Sequence, residues 1–166
     1  MRQPTEQEAL SRLTTLCAQS EHCSHEMTEK MRKWQLSDET QARIMEYLVR
    51  ERFVDDERYC RLFVKDRIRH NKWGRRKVEQ ALWAKHIDSD ISKKVLAEVD
   101  DEEYLSVLRP MLKSRRKQLG ALSEYEANGR LVRWALGRGF TFDIIKQCLT
   151  DVDDLEEEFA DDGTED

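Results

Sequence analysis

Between Arg58 and Lys85 the chain carries ten Lys or Arg and two acids, Asp66 and Glu79, a net of +8. Solvated helix faces ordinarily mix signs, so a one-signed run of this length suits an anionic partner. At roughly 100° per residue, a helix across this stretch puts Arg61, Lys65, Arg69 and Lys72 within about 60° of Arg58. Cys60, Phe63, Val64 and Ile68 then share the opposite, apolar face. Arg67 falls in the middle of that apolar face, where a guanidinium needs a carboxylate partner, and a structural ion pair is expected there. A second cationic run, Lys113, Arg115, Arg116 and Lys117 with Arg109 just before it, contains no acid. Several basic helices of this kind resemble a groove that tracks phosphates.

Three of the cations, Arg75-Arg76-Lys77, stand where a new helix starts after Gly74. A helix N-terminus is already partly positive, and a cation there costs about 0.3–1 kcal/mol. The placement is tolerable if dipole and cations face one shared anion, with Gly74 as a hinge before them. Trp73 and Trp83 flank the cluster. Trp73 suits base stacking and core equally, whereas Trp83 fits the buried face of its helix and is expected in the core. The candidate contact set is therefore Arg58, Arg61, Lys65, Arg69, Lys72, Trp73, Arg75, Arg76, Lys77, Lys113, Arg115, Arg116 and Lys117.

Other chemistries find little support. His70 and His86 are isolated from any nucleophile at catalytic spacing, and no glycine loop is built for phosphates. No enzyme and no cofactor are expected. Cys17, Cys23, Cys60 and Cys148 form no CxxC pair and are expected as reduced thiols. His22, Cys23 and His25 lie near Cys17, but their spacing matches no standard zinc pattern, and no metal is expected.

The elements that must position these groups are helical. Only 6 Gly and 2 Pro in 166 residues leave few turn residues for a β-sandwich, so the expected class is all-α. Thr5 with Glu8 and Ser123 with Glu126 have the form of capping boxes. Three breaks overlay: Leu36, Ile87 and Phe140 each follow a helix end, 51 and 53 residues apart, with an acid three positions later. A period near 50 with three helices per unit means a tandem helical repeat. The expected layout is repeat 1 over 5–54, basic repeat 2 over 55–99 and repeat 3 over 100–150, forming an elongated, curved array. Pro110 lies inside the long helix of the third unit, where a kink is expected.

The net charge of −5 conceals a body at +5, because residues 150–166 hold ten acids and no Lys or Arg. Residues 151–166 are expected to be a disordered acidic tail that competes with DNA for the basic groove. No apolar run nears the roughly 18 residues of a membrane span, and the N-terminus has no apolar signal core. A cytoplasmic location is expected.

Two segments carry a resemblance. "FVDDERYCRLFVKDRI" (53–68) and "KWGRRKVEQALWAKHI" (72–87) are similar, together and at this spacing, to the signature of the RecX family of recombinase regulators. The resemblance covers roughly 8–150. It implies three tandem three-helix repeats, a monomer, and binding in the helical groove of the RecA–DNA filament. It also implies modulation, usually inhibition, of recombinase, ATPase and coprotease activities, with no catalysis by this chain. Asp55, Asp56, Phe63, Arg67, Gly74, Leu82 and Ile87 take structural roles in this scheme. One departure is Lys85-His86-Ile87, where the family commonly has Lys-Gly-Ile. His86 would need the left-handed conformation that glycine adopts more cheaply. The competing readings are direct, sequence-tolerant DNA binding and a helix-turn-helix transcription factor, which would want a base-reading helix start and dimer symmetry; a plain adaptor between proteins is a further alternative.

Overall fold

A computed structural model of the chain describes residues 2–160. Helices account for all its regular structure among those residues. In chain order they are α1 (Glu6–Gln19), α2 (Ser24–Lys33), α3 (Asp38–Arg50), α4 (Asp56–Arg69), α5 (Arg75–Ala84), α6 (Ser89–Ala97), α7 (Asp101–Gln118), α8 (Glu124–Gly137), α9 (Phe142–Ile145) and α10 (Asp153–Ala160). The first nine form three consecutive three-helix sets.

The helix starts are capped as their sequences dictate. The Glu8 amide donates to Thr5 Oγ1 at 3.1 Å, and the Glu126 amide to Ser123 Oγ at 3.2 Å, satisfying orphan N–H groups of the first turn. The three overlaid breaks share one geometry. Gln35, His86 and Gly139 take positive φ of 58°, 56° and 93°. The next amide in each turn reaches back to the helix: Leu36 to Met31, Ile87 to Leu82, Phe140 to Ala135. That is the Schellman closure, in which a left-handed residue lets a later N–H satisfy a terminal carbonyl. Leu36, Ile87 and Phe140 are all buried, so each turn is pinned by the apolar residue that follows it.

The helices pack as two compact units. The first comprises Met1–Phe63 with Ala81–Val95, the second Val64–Gln80 with Leu96–Asp166. In the first, α1, α2 and α3 bury Ala9, Leu13, Met27, Met31, Ile44 and Leu48 around one core. In the second, α7, α8 and α9 bury Leu105, Leu108, Leu112, Leu131, Val132 and Ile145. Both stripes follow helical spacing, which is why short amphipathic helices suffice to close each core.

Two expectations change here. α7 runs as one helix through Pro110, which therefore does not split it in two. Proline removes the amide that would bond the Ser106 carbonyl, but both residues are exposed, so water can meet the freed carbonyl. Trp83 is 82% exposed rather than in the core: Val78 and Leu82 take the buried stripe of α5, and the next position is turned about 100° away. The acidic segment is not all tail. Asp153–Ala160 form α10, with Val152, Leu155 and Phe159 buried and Arg133 5.6 Å over the Phe159 ring. Three apolar residues at i, i+3 and i+7 give this stretch an anchoring face that its acid count hides. Residues 161–166 of the expected tail lie outside the described residues.

Candidate functional site

α4 begins at the paired aspartates, and each has a structural task. Asp55 caps the helix, accepting from the Arg58 amide at 3.0 Å. Asp56 grips the start of α2, with its two oxygens accepting from the Ser24 amide at 2.7 Å and the Ser24 hydroxyl at 2.6 Å. Phe63 is buried and stacks with Tyr59 at 5.8 Å; Leu82 and Ile87 are buried as well.

The basic face of α4 is more heavily engaged than spacing alone suggests. Arg58 Nε lies 2.8 Å from Glu21 Oε1, and its guanidinium donates to the Arg52 carbonyl at 3.1 Å. The Glu21 contact is a close charge pair without an aligned hydrogen bond, since Arg58 Nε and Glu21 Oε2 have no such partner. Arg58 is therefore a brace within its unit and not an open contact. Arg61 pairs with Glu57 at 3.2 Å, and Lys94 reaches the same carboxylate at 2.6 Å. The Lys94 hydrogen bond, helped by Arg61, holds Glu57 below the usual carboxylate range. Lys65 is exposed, and Arg69 is 4.0 Å from Glu103. Lys72 lies past the end of α4 with φ 58°, so it does not extend the helical stripe.

Arg67 is half-buried as the apolar-face position requires. Its partners include Asp66, at 2.6 Å, and the Trp73 ring, 5.7 Å from the guanidinium. Lys77 approaches Trp73 at 5.0 Å. Both are cation–π contacts, so two charges engage the one indole.

The start of α5 is built differently from the shared-anion picture. The Gly74 amide donates to the Arg138 carbonyl and the Arg76 amide to the Gly139 carbonyl, both at 2.9 Å. These carbonyls end α8, so the positive end of one helix dipole meets the negative end of another. Two of the amides an anion would use are thus occupied. Gly74 is no hinge: a Cβ there would overlap the Phe140 amide and the Gly139 carbonyl carbon, and a Cβ on Gly139 would lie 2.5 Å from the Lys77 amide nitrogen. Two glycines let two backbones touch. Arg75 and Arg76 project from this junction as exposed side chains.

The second cationic run behaves likewise. Arg115 stacks over Trp134 at 4.4 Å, and Arg116 donates to the Gly120 and Leu122 carbonyls at 3.1 and 3.3 Å. Lys113 and Lys117 are exposed. Arg138 was not singled out in the sequence. Its guanidinium donates to the Asn71 carbonyl at 2.8 Å and lies 5.5 Å over Trp134. Its signal was its place in the third overlaid break, one residue before Gly139.

Comparison with known proteins agrees with this organisation. The family models for the second and third three-helix domains of RecX match residues 55–96 and 101–149, together more than half the chain. The chain is 29% identical over 127 residues to the "Regulatory protein RecX" of Lactobacillus delbrueckii subsp. bulgaricus, covering 76% of this chain and 47% of that protein. It is 26% identical over 148 residues to its namesake in Clostridium acetobutylicum, covering 87% and 68%. The chain thus spans about half the length of the first of these relatives. The crystal structure of RecX from Lactobacillus salivarius superposes with a TM-score of 0.82 at 16% identity, over 86% of this chain and 93% of that one. With its helical sets, its left-handed turns and these matches, the chain belongs to the RecX family of regulatory proteins.

Proposed function

We propose that this chain is a monomeric cytoplasmic regulator that binds in the groove of the RecA–DNA filament and restrains recombinase, ATPase and coprotease activity during DNA repair and the SOS response. The observation that carries the reading is the exposed cation set of Lys65, Arg69, Lys72, Arg75 and Arg76 in a chain of this family. A filament offers phosphates and acidic side chains along one track, and many weak charge contacts sum along it. Lys77 is engaged with Trp73; Lys65, Lys72 and Arg75 are the side chains to test.

The experiment adds the protein to preformed RecA filaments and follows ATP hydrolysis and strand exchange. Slower turnover is expected; unchanged rates at several-fold excess would overturn the reading. The Lys65→Glu/Lys72→Glu/Arg75→Glu variant should lose the effect while keeping its helical circular dichroism. The same exposed cations favour a second reading, direct sequence-tolerant DNA binding. It predicts a salt-steep affinity for bare duplexes of any sequence that accounts for the whole effect on the filament.

A further inference from the structure

α7 presents Arg109, Leu112, Lys113 and Arg116 at i, i+3, i+4 and i+7, one face of a helix. That face borders a cleft of about 480 Å³. Leu112 and Leu131, both buried, form apolar wall on α7 and α8. Asn128, only 6% exposed, lines the cleft and donates to the Thr150 carbonyl at 2.9 Å. The one acid on the lining among the described residues, Glu124, accepts from the Thr150 hydroxyl at 3.4 Å. Lys113 makes no hydrogen bond or ion pair among the described residues, Arg109 pairs outward with the exposed Glu102 at 3.0 Å, and Arg116 uses part of its guanidinium on the Gly120 and Leu122 carbonyls.

An apolar wall with a cationic rim calls for a ligand that is flat and apolar at one end and anionic at the other. The three cations spread over about 10 Å of helix, more than one carboxylate spans. The volume is that of a small-molecule pocket. We propose that the α7–α8 cleft binds a nucleotide, its base against Leu112 and Leu131 and its run of phosphates against Arg109, Lys113 and Arg116. A DNA strand and a free nucleoside triphosphate carry this same group. The inference deepens the DNA-contact part of the proposed function and rests on it.

Cys148 borders the cleft and is half-buried; Cys17, also half-buried, lies in the other unit and serves as an internal standard. The full chain is alkylated with N-ethylmaleimide, and each cysteine is followed by peptide mass spectrometry with oligothymidylate, ATP, polyglutamate or buffer alone. Oligothymidylate should slow Cys148 severalfold and leave Cys17 unchanged. ATP giving the same protection supports the site and names the free nucleotide as a source. Lys113→Glu, an exposed change, should abolish protection with the helical spectrum intact.

Protection by neither nucleotide form overturns the cleft, as does equal protection by polyglutamate, which would make it a carboxylate site. Filament ATP hydrolysis, measured in parallel, separates the two proposals. Regulation without Cys148 protection rejects the cleft alone, and protection without regulation rejects the filament reading alone.

Discussion

The start of α2 and the start of α5 both meet a left-handed turn from the following helical set, and they do so with different atoms. At the first, side chains make the contact. The His25 and His86 rings stack at 3.9 Å, Cys23 Sγ sits 3.9 Å from the Lys85 carbonyl, and Lys85 Nζ is 3.9 Å from Glu26. Asp56 holds Ser24 from the side. At the second, main chain meets main chain: the Gly74 and Arg76 amides bond the Arg138 and Gly139 carbonyls directly. The same repeat step is thus taken once with rings and a carboxylate, and once with two glycines.

The difference explains His86. Its φ of 56° is strained for a residue with a Cβ, and glycine would adopt it more cheaply. But a glycine there has no ring to stack on His25. Gly139 has the reverse constraint, because any side chain would strike Lys77. Position by position, the turns tolerate what their partner helix start demands.

The largest test of this contrast is Gly74→Ala. The new Cβ overlaps Phe140 backbone, which cannot move aside as a flexible side chain could. A loss of about 4 kcal/mol is expected, seen as a large drop in the thermal midpoint. A midpoint within a few degrees of the parent would show that the backbone contact is not tight. Asp56→Ala should come next, at about 2–3 kcal/mol. It leaves the Ser24 amide and hydroxyl without their charged acceptor, and urea unfolding reads it out.

His86→Gly should be the mild counterpart. Loss of the ring stack is set against relief of the left-handed strain, for a net within about 1 kcal/mol of zero. If His86→Gly destabilises as much as Gly74→Ala, the two junctions are not built on different principles.

The smallest effect is at Glu26. Burial opposes its ionisation, but the Cys23 amide and thiol, with Lys85 and His22, outweigh burial and hold the carboxyl below its ordinary 4.5. A carboxyl lowered in the folded state adds stability that is present above 4.5 and is lost as pH falls through the folded value. Glu26→Gln should flatten the acid limb of the stability profile below that pH and change neutral stability by less than about 1 kcal/mol. An unchanged acid limb would place the sensitivity elsewhere.

Much of this was legible in the residues. Thr5 and Ser123 name their own caps, because a hydroxyl one residue before a helix has a local amide to satisfy. Leu36, Ile87 and Phe140 exposed the repeat through spacing alone. The buried stripe of α4 followed from its period. The cations were harder to read. Their number and sign marked the region, yet Arg58 and Lys77 proved to be committed to Glu21 and Trp73, and Arg116 spends part of its guanidinium on the Gly120 carbonyl. Leu155 and Phe159 were hidden among acids, since composition over the whole segment masked one short apolar face.

The sequence by itself determined the helices, their turns and the excess of positive charge, because period, capping and charge are properties of neighbouring residues. Only the tertiary structure decided which cations are free to meet a partner. It also decided that Gly74 is a contact point instead of a hinge, with the α5 amides turned to the end of α8. Such pairings join residues more than sixty positions apart, and no local pattern announces which distant carbonyl an amide will find.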